Sequence, residues 1–205
     1  MSAFCDWLAA HHSSCIELGA AVFGIVGVWL SIPENVWNWP LGMANVALSY
    51  LVLARQGLYA NAGLQIVYFG LSVYGWYEWL HGGRARTTLE ISRTTRRTWK
   101  CVAAATLLIW VALMLLTRRI PGATQGFVDA GTTAVSLVAE WMLARKLLEN
   151  WALWIVIDGV YVALLVFDKL YVLAINYAVY FALAVAGYVA WKRTLVRHSA
   201  TLVAT

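Results

Sequence analysis

The sequence predicts an all-α integral membrane protein with seven transmembrane helices, arranged as two parallel three-helix repeats around a linker helix (3+1+3). Three observations carry that expectation. The 205-residue chain is 62% hydrophobic and 12% charged, with a mean hydropathy of +0.69, about half the charge fraction of a soluble domain. Apolar runs near the ~18–20 residues needed to cross a bilayer recur with almost no charge inside them. One ungapped shift of 112 residues superposes Trp29 on Trp141, Asn38 on Asn150, Trp39 on Trp151, Tyr59 on Tyr171, Tyr68 on Tyr180, Phe69 on Phe181, Gly75 on Gly187 and Trp79 on Trp191. A unit of three spans ends on the side opposite its start. Two copies in one orientation therefore need an extra crossing between them.

The spans follow in order. Met1 to Ser14 lacks a basic n-region and does not read as a cleaved signal peptide. The first span covers Cys15 to Ile32, with Gly19, Gly24 and Gly27 allowing close helix approach, and Pro33-Glu34-Asn35 breaks it. A second runs from Trp37 to Leu53 and stops at Arg55-Gln56-Gly57. The third, Leu58 to Leu80, ends in Tyr74, Trp76, Tyr77 and Trp79, a cluster of the kind that anchors at the headgroup level. Trp76, Trp79, Tyr188 and Trp191 are expected as such belt residues, and Gly75 and Gly187 as packing positions. Cys101 to Thr117 is bland, unmatched by the repeat, and fits the linker; Arg118-Arg119-Ile120-Pro121-Gly122 closes it. The fifth span lies at Phe127 to Leu143, and the last two share Asn150 to Trp191, split at Asp168-Lys169. A basic tail starts at Lys192. The expected organisation is a first bundle over 15–80, a basic cytoplasmic loop with the linker helix and following loop over 81–126, and a second bundle over 127–193.

Charge sets the orientation. With the C-terminus in the cytoplasm, Arg84, Arg86, Arg93, Arg96, Arg97, Lys100, Arg145, Lys146, Lys192, Arg193 and Arg197 lie inside, and only Arg55, Arg118, Arg119 and Lys169 outside, as the positive-inside rule favours. The net charge of +5 thus belongs to topology and not to a nucleic-acid partner. Cys5, Cys15 and Cys101 have neither metal-ligand nor disulfide spacing, and no metal or cofactor is expected. The four histidines lie at ends or loops, which leaves a catalytic base for an intramembrane enzyme hard to supply. Transporters commonly bind substrate between such repeats, and with no phosphate-cradling loop to supply an energy source passive alternating access is the simplest mechanism for one. A non-transporting receptor or assembly protein is the alternative of another class.

The candidate site centres on 150–191. An ionisable group inside hydrocarbon marks function. Trp151, Trp154, Asp158 and Tyr161 recur at steps of three, four and three, on one helix face. Asn176 and Tyr180 share a face of the following span. Together these read as a lined cavity. Trp39 and Trp151 begin spans, so interfacial anchoring stands beside ligand contact for each. Glu140, near Arg145 at a span end, is open between a gate and a surface role; Asn38 and Tyr161 are gating or packing candidates.

These residues carry a resemblance. The runs N-W-P-L-G-M-A-N at 38–45, Q-I-V-Y-F-G-L-S-V-Y-G-W-Y-E-W at 65–79, W-A-L-W-I-V-I-D-G-V-Y at 151–161 and N-Y-A-V-Y-F at 176–181 resemble the PnuC family of bacterial nicotinamide riboside transporters, itself similar to the SWEET sugar transporters. The resemblance implies facilitated uptake of nicotinamide riboside across a bacterial inner membrane, in the lipid bilayer, by a homotrimer. It implies a midplane site in which Trp151 and Trp154 stack on the cationic pyridinium and Asp158 offsets its charge or accepts from the ribose. Asn45, Gln65, Asn176, Tyr68, Tyr177 and Tyr180 would serve the amide and sugar, with Trp39 as a further aromatic contact. A sister group linked to thiamine leaves that cargo, or another cationic vitamin or nucleoside, open.

Overall fold

A computed structural model describes residues 15–83, 87–117 and 127–203. The expectations for 1–14, for Arg84 and Arg86 and for the break at 118–122 fall outside them. Every regular element among the described residues is helical: α1 (Cys15–Ser31), α2 (Asn38–Arg55), α3 (Tyr59–His81), α4 (Arg96–Thr117), α5 (Phe127–Ala144), α6 (Asn150–Phe167) and α7 (Tyr171–Val203). The chain divides into two compact units, one running to Tyr77 and the other starting at Glu78.

The helix ends follow from local chemistry. Asn35 Oδ1 accepts from the Trp37 amide at 3.0 Å, an Asx turn that leads into α2. Thr95 Oγ1 accepts from the Thr98 amide at 3.2 Å and caps α4. Past the end of α2, Gly57 adopts φ 76°, Leu58 N–H bonds Leu53 O, and Gly57 N–H bonds Ala54 O. That is a Schellman closure. The same 6→1 and 5→2 bonds close α1 at Glu34 (φ 59°), α5 at Lys146 (φ 48°) and α6 at Lys169 (φ 60°). Glu34 and Lys146 are 112 positions apart, and so are Gly57 and Lys169. The starts of α1, α2 and α3 recur at the same interval in α5, α6 and α7. The local backbone therefore repeats with the period of the sequence.

In the first unit α1 packs on α2. A Cβ on Gly27 would lie 3.4 Å from Asn38 O and 3.6 Å from Gly42 N, so glycine permits this approach. Asn38 Nδ2 donates to Ser31 Oγ at 2.9 Å, and Ser31 Oγ donates to Gly27 O at 3.2 Å, tying the end of α1 to the start of α2. In the second unit α4 packs on α5, α5 on α6, and α6 on α7. Val102, Val138, Met142 and Leu147 form a buried apolar cluster with Ala105, Ile109, Trp141 and Leu153 against it.

Among the described residues four helical stretches can, by length and composition, cross a membrane: Arg96–Leu116, Phe127–Ala144, Asn150–Phe167 and Tyr171–Arg197; Ile16–Ser31 is apolar but shorter. α2 and α3 are diluted by asparagine, glutamine, serine, glycine, tyrosine and tryptophan. Leu107, Leu108, Val111, Leu115 and Leu116 leave α4 with a broad exposed apolar surface, as suits lipid. Among the described residues the fold is all-α, with several helices of a length and composition that suit a multi-pass membrane protein.

Two features depart from expectation. The basic segment from Lys192 is no separate tail, since α7 continues through it to Val203. Lysine and arginine after an apolar run end a span without ending a helix. The loop after α3 is also more than a solvated basic run. Its 87–94 portion forms an extended strap on the α5–α6 turn, with Ser92 N–H bonding Lys146 O at 3.0 Å and Leu148 N–H bonding Ser92 O at 2.9 Å. Glu149 Oε2 accepts from both Thr94 N–H (2.8 Å) and Thr94 Oγ1 (2.7 Å). Charge-assisted bonds of this kind are worth ~1.5–3 kcal/mol. Glu149→Ala is accordingly expected to speed amide hydrogen exchange across 87–94 at least tenfold while leaving α4 protected. Unchanged exchange there would show that the strap is held by other contacts.

Candidate functional site

Three helices of the second unit bring the polar residues together. Along α6, Trp154, Asp158 and Tyr161 lie one turn apart on one face. On α7, Asn176, Tyr177 and Tyr180 lie within little more than one turn. The Tyr161 and Tyr177 rings stack at 4.7 Å with planes 26° apart, and Tyr177 meets Tyr180 edge-on at 6.3 Å. Aromatic pairs in such geometry add ~0.5–1.5 kcal/mol beyond their area. The result is a continuous tyrosine wall between α6 and α7.

Asp158 sits against this wall. It is 5% exposed, acts electrostatically on Tyr177 and Tyr180, and has no hydrogen bond or ion pair among the described residues. A carboxyl group this deep with no cation beside it is costly unless it meets one in function. Trp154 and Asn176 are half-buried. α5 adds two residues that the sequence reading did not single out for the site. Thr132 Oγ1 is 3.0 Å from Tyr161 Oη, and Asp129, exposed in the first turn, acts on the Tyr161 phenol. The i,i+3 spacing of Asp129 and Thr132 on a span otherwise poor in charge was the available signal.

Trp151, one turn before Trp154, does different work. It is 1% exposed, and a Cβ on Gly187 would fall 2.6 Å from its ring. Trp191 meets it edge-on at 5.4 Å, and Trp79 lies 6.2 Å beyond. Trp79 and Trp191 are 3% and 1% exposed, which corrects their expected place in an interfacial belt. An anchoring indole keeps an edge in the headgroup region, whereas Trp79 donates Nε1 to Leu143 O at 3.1 Å. Its ring lies under the Lys146 ammonium at 4.6 Å. Trp76 is exposed, as expected of a belt residue, and Tyr188 is intermediate. Arg145 pairs with Glu78 at 3.2 Å; Glu140 is half-buried on α5.

The first unit holds the other candidates. Trp39 is 2% exposed with its ring over Gly75, so it is packed between helices and is not an exposed anchor. Asn45 Nδ2 donates to Ala20 O at 2.6 Å, a bond from α2 to α1. Gln65 and Tyr68 are half-buried, one turn apart on α3. Asn38 and Asn150, equivalent in the repeat, are both buried with an Oδ1 that has no partner among the described residues. Among those residues no group of three or more His, Cys, Asp or Glu is placed to hold a metal ion.

A family model described as nicotinamide mononucleotide transporter matches residues 14–193. The nicotinamide riboside transporter PnuC of Escherichia coli (strain K12) is 25% identical over 210 residues, covering 87% of this chain and 85% of that protein. The riboflavin/roseoflavin transporter RibM of Streptomyces davaonensis is 29% identical over 177 residues, covering 83% and 81%. A crystal structure of the vitamin B3 transporter PnuC is similar with a TM-score of 0.73 and 26% identity, over 93% of this chain and 86% of that one.

Proposed function

Since this chain belongs to the nicotinamide mononucleotide transporter family, it is a membrane transporter, and we propose that its cargo is nicotinamide riboside. The observation that carries this reading is the buried, unpartnered Asp158 against the wall of Tyr161, Tyr177 and Tyr180. Nicotinamide riboside offers a flat permanent cation, a primary amide and a ribose. A carboxylate with aromatic faces suits the first, worth up to about 2 kcal/mol per desolvated cation–π contact. Asn176 and the phenols supply donors and acceptors for the others. Trp154 is the half-buried indole that reaches the ligand, while Trp151 shapes the wall from behind. Glu140 and Asn38 act in gating or packing.

In this reading the seven helices all span a bacterial inner membrane as 3+1+3, with α4 as the linker and the C-terminus in the cytoplasm, and the molecule works as a trimer. The recurrence of helix starts and left-handed turns after 112 residues supports two parallel repeats. The excess of basic residues on one side supports the orientation. Transport is facilitated diffusion by alternating access.

The 29% identity to a riboflavin carrier favours a second reading, in which the tyrosine wall stacks an uncharged flavin; thiamine is the other cationic candidate. Ligand-induced thermal stabilisation of the purified protein by nicotinamide riboside, thiamine and riboflavin separates the three. A ligand at 100 times its Kd stabilises the folded state by ~2.7 kcal/mol. A shift with nicotinamide riboside alone is expected. A shift with riboflavin or thiamine instead would move the cargo. Binding of nicotinamide riboside without its entry into vesicles would leave a receptor and overturn the transport reading.

A further inference from the structure

The tyrosine wall continues beyond Asp158 to α5, where Thr132 holds its far end. Thr132 Oγ1 donates to, or accepts from, Tyr161 Oη at 3.0 Å, and lies 3.1 and 3.0 Å from Val128 O and Asp129 O. The hydroxyl is thus fixed by its own helix, and it fixes in turn the phenol whose ring stacks on Tyr177. Asp129 stands one turn before Thr132, and its charge acts on both Tyr161 and Tyr177. Asp158 acts on Tyr177 as well. Two carboxylates, one exposed and one on a residue 5% exposed, thus act on the same stack.

We infer that α5 sets the preference of this site for positive charge, with Asp129 as a specificity-determining residue and Thr132 as the positioning residue that holds Tyr161 against Tyr177. The inference rests on the binding of nicotinamide riboside proposed above. A charge near the ligand but outside contact range acts through Coulomb attraction, so it discriminates a cation from its uncharged isostere while changing shape recognition little. Asp129 is exposed, so its influence is screened by salt; Asp158, being buried, is screened much less.

The test compares nicotinamide riboside with its uncharged 1,4-dihydro form, which keeps the amide and ribose. Affinities of the full chain for both are measured by calorimetry at low and high ionic strength. Wild type is expected to prefer the cation by on the order of tenfold. Asp129→Asn is expected to lower affinity for the cation ~3–10-fold at low salt, less at high salt, and to leave the dihydro form within ~2-fold. Thr132→Val is expected to weaken both ligands alike, through the loosened Tyr161 ring, and Thr132→Ser to restore them. Equal loss of both ligands in Asp129→Asn, or no loss, overturns the role of Asp129 while wild-type binding still supports the cargo. Thr132→Val without effect overturns the positioning role. A wild type that binds neither riboside takes down the inference and the cargo together.

Discussion

Asp158→Asn is expected to weaken nicotinamide riboside binding by on the order of 100-fold while making the empty protein more stable. Both effects have one origin. Asp158 is 5% exposed, without an ion pair or hydrogen bond among the described residues, so the empty protein bears much of its desolvation with no protein partner to offset it. Leaving a polar group unsatisfied costs ~1–3 kcal/mol, and more for a charge. Asparagine keeps the shape and removes the charge, which should raise Tm in the absence of ligand. With the cation bound, the balance reverses. Truncating one partner of a buried charge pair costs ~2–5 kcal/mol, or roughly 30- to several-thousand-fold in affinity, and the neutral amide recovers part of that. Calorimetric Kd values and ligand-free melting curves for the two proteins settle the matter. Unchanged affinity would remove Asp158 from the ligand, and a lowered ligand-free Tm would make it a structural residue.

How much of this was legible in the sequence depends on the range of the interactions. Helix limits were readable because local chemistry sets them: Pro33-Glu34-Asn35, Arg55-Gln56-Gly57 and Asp168-Lys169 lie where α1, α2 and α6 close. The steps that align Trp154, Asp158 and Tyr161 are local too. The strap was invisible, because Thr94 and Glu149 meet across 55 residues and neither belongs to a recognisable pattern. Trp79 and Trp191 were misassigned for a related reason. An indole near the end of an apolar run looks the same whether it meets headgroups or a neighbouring helix, and only the partner decides. A signal existed in the repeat, since the shift that pairs Trp39 with Trp151 also pairs Gly75 with Gly187, keeping each tryptophan and glycine at the same separation. Asp129 stayed unassigned because its relation to Tyr161 and Tyr177 passes through three helices.

That tryptophan–glycine pairing makes the other large effect. Gly75→Ala and Gly187→Ala are each expected to destabilise the protein strongly, against the usual trend for helices. Alanine in place of a helical glycine normally gains ~1 kcal/mol. Here the added Cβ would lie 2.6 Å from two atoms of the Trp151 ring at Gly187, and inside contact distance of the Trp39 ring at Gly75. Both indoles are almost wholly buried, so neither ring can swing aside without moving its own helix. Overpacking of this kind typically costs ~1–3 kcal/mol and at rigid contacts more. Gly63 and Gly70 serve as controls, because nothing lies within 4 Å of a Cβ built there; alanine at either should leave Tm unchanged or raised. The coupling is tested by a double-mutant cycle. Trp151→Leu alone should cost several kcal/mol as a large-to-small core change, but together with Gly187→Ala the losses should fall well short of their sum, because the smaller side chain removes the clash. Additive losses would mean that the ring and the glycine are neighbours without being each other's constraint. Sub-additive losses at both pairs would show that the two halves of the chain close their helices by the same contact, made twice.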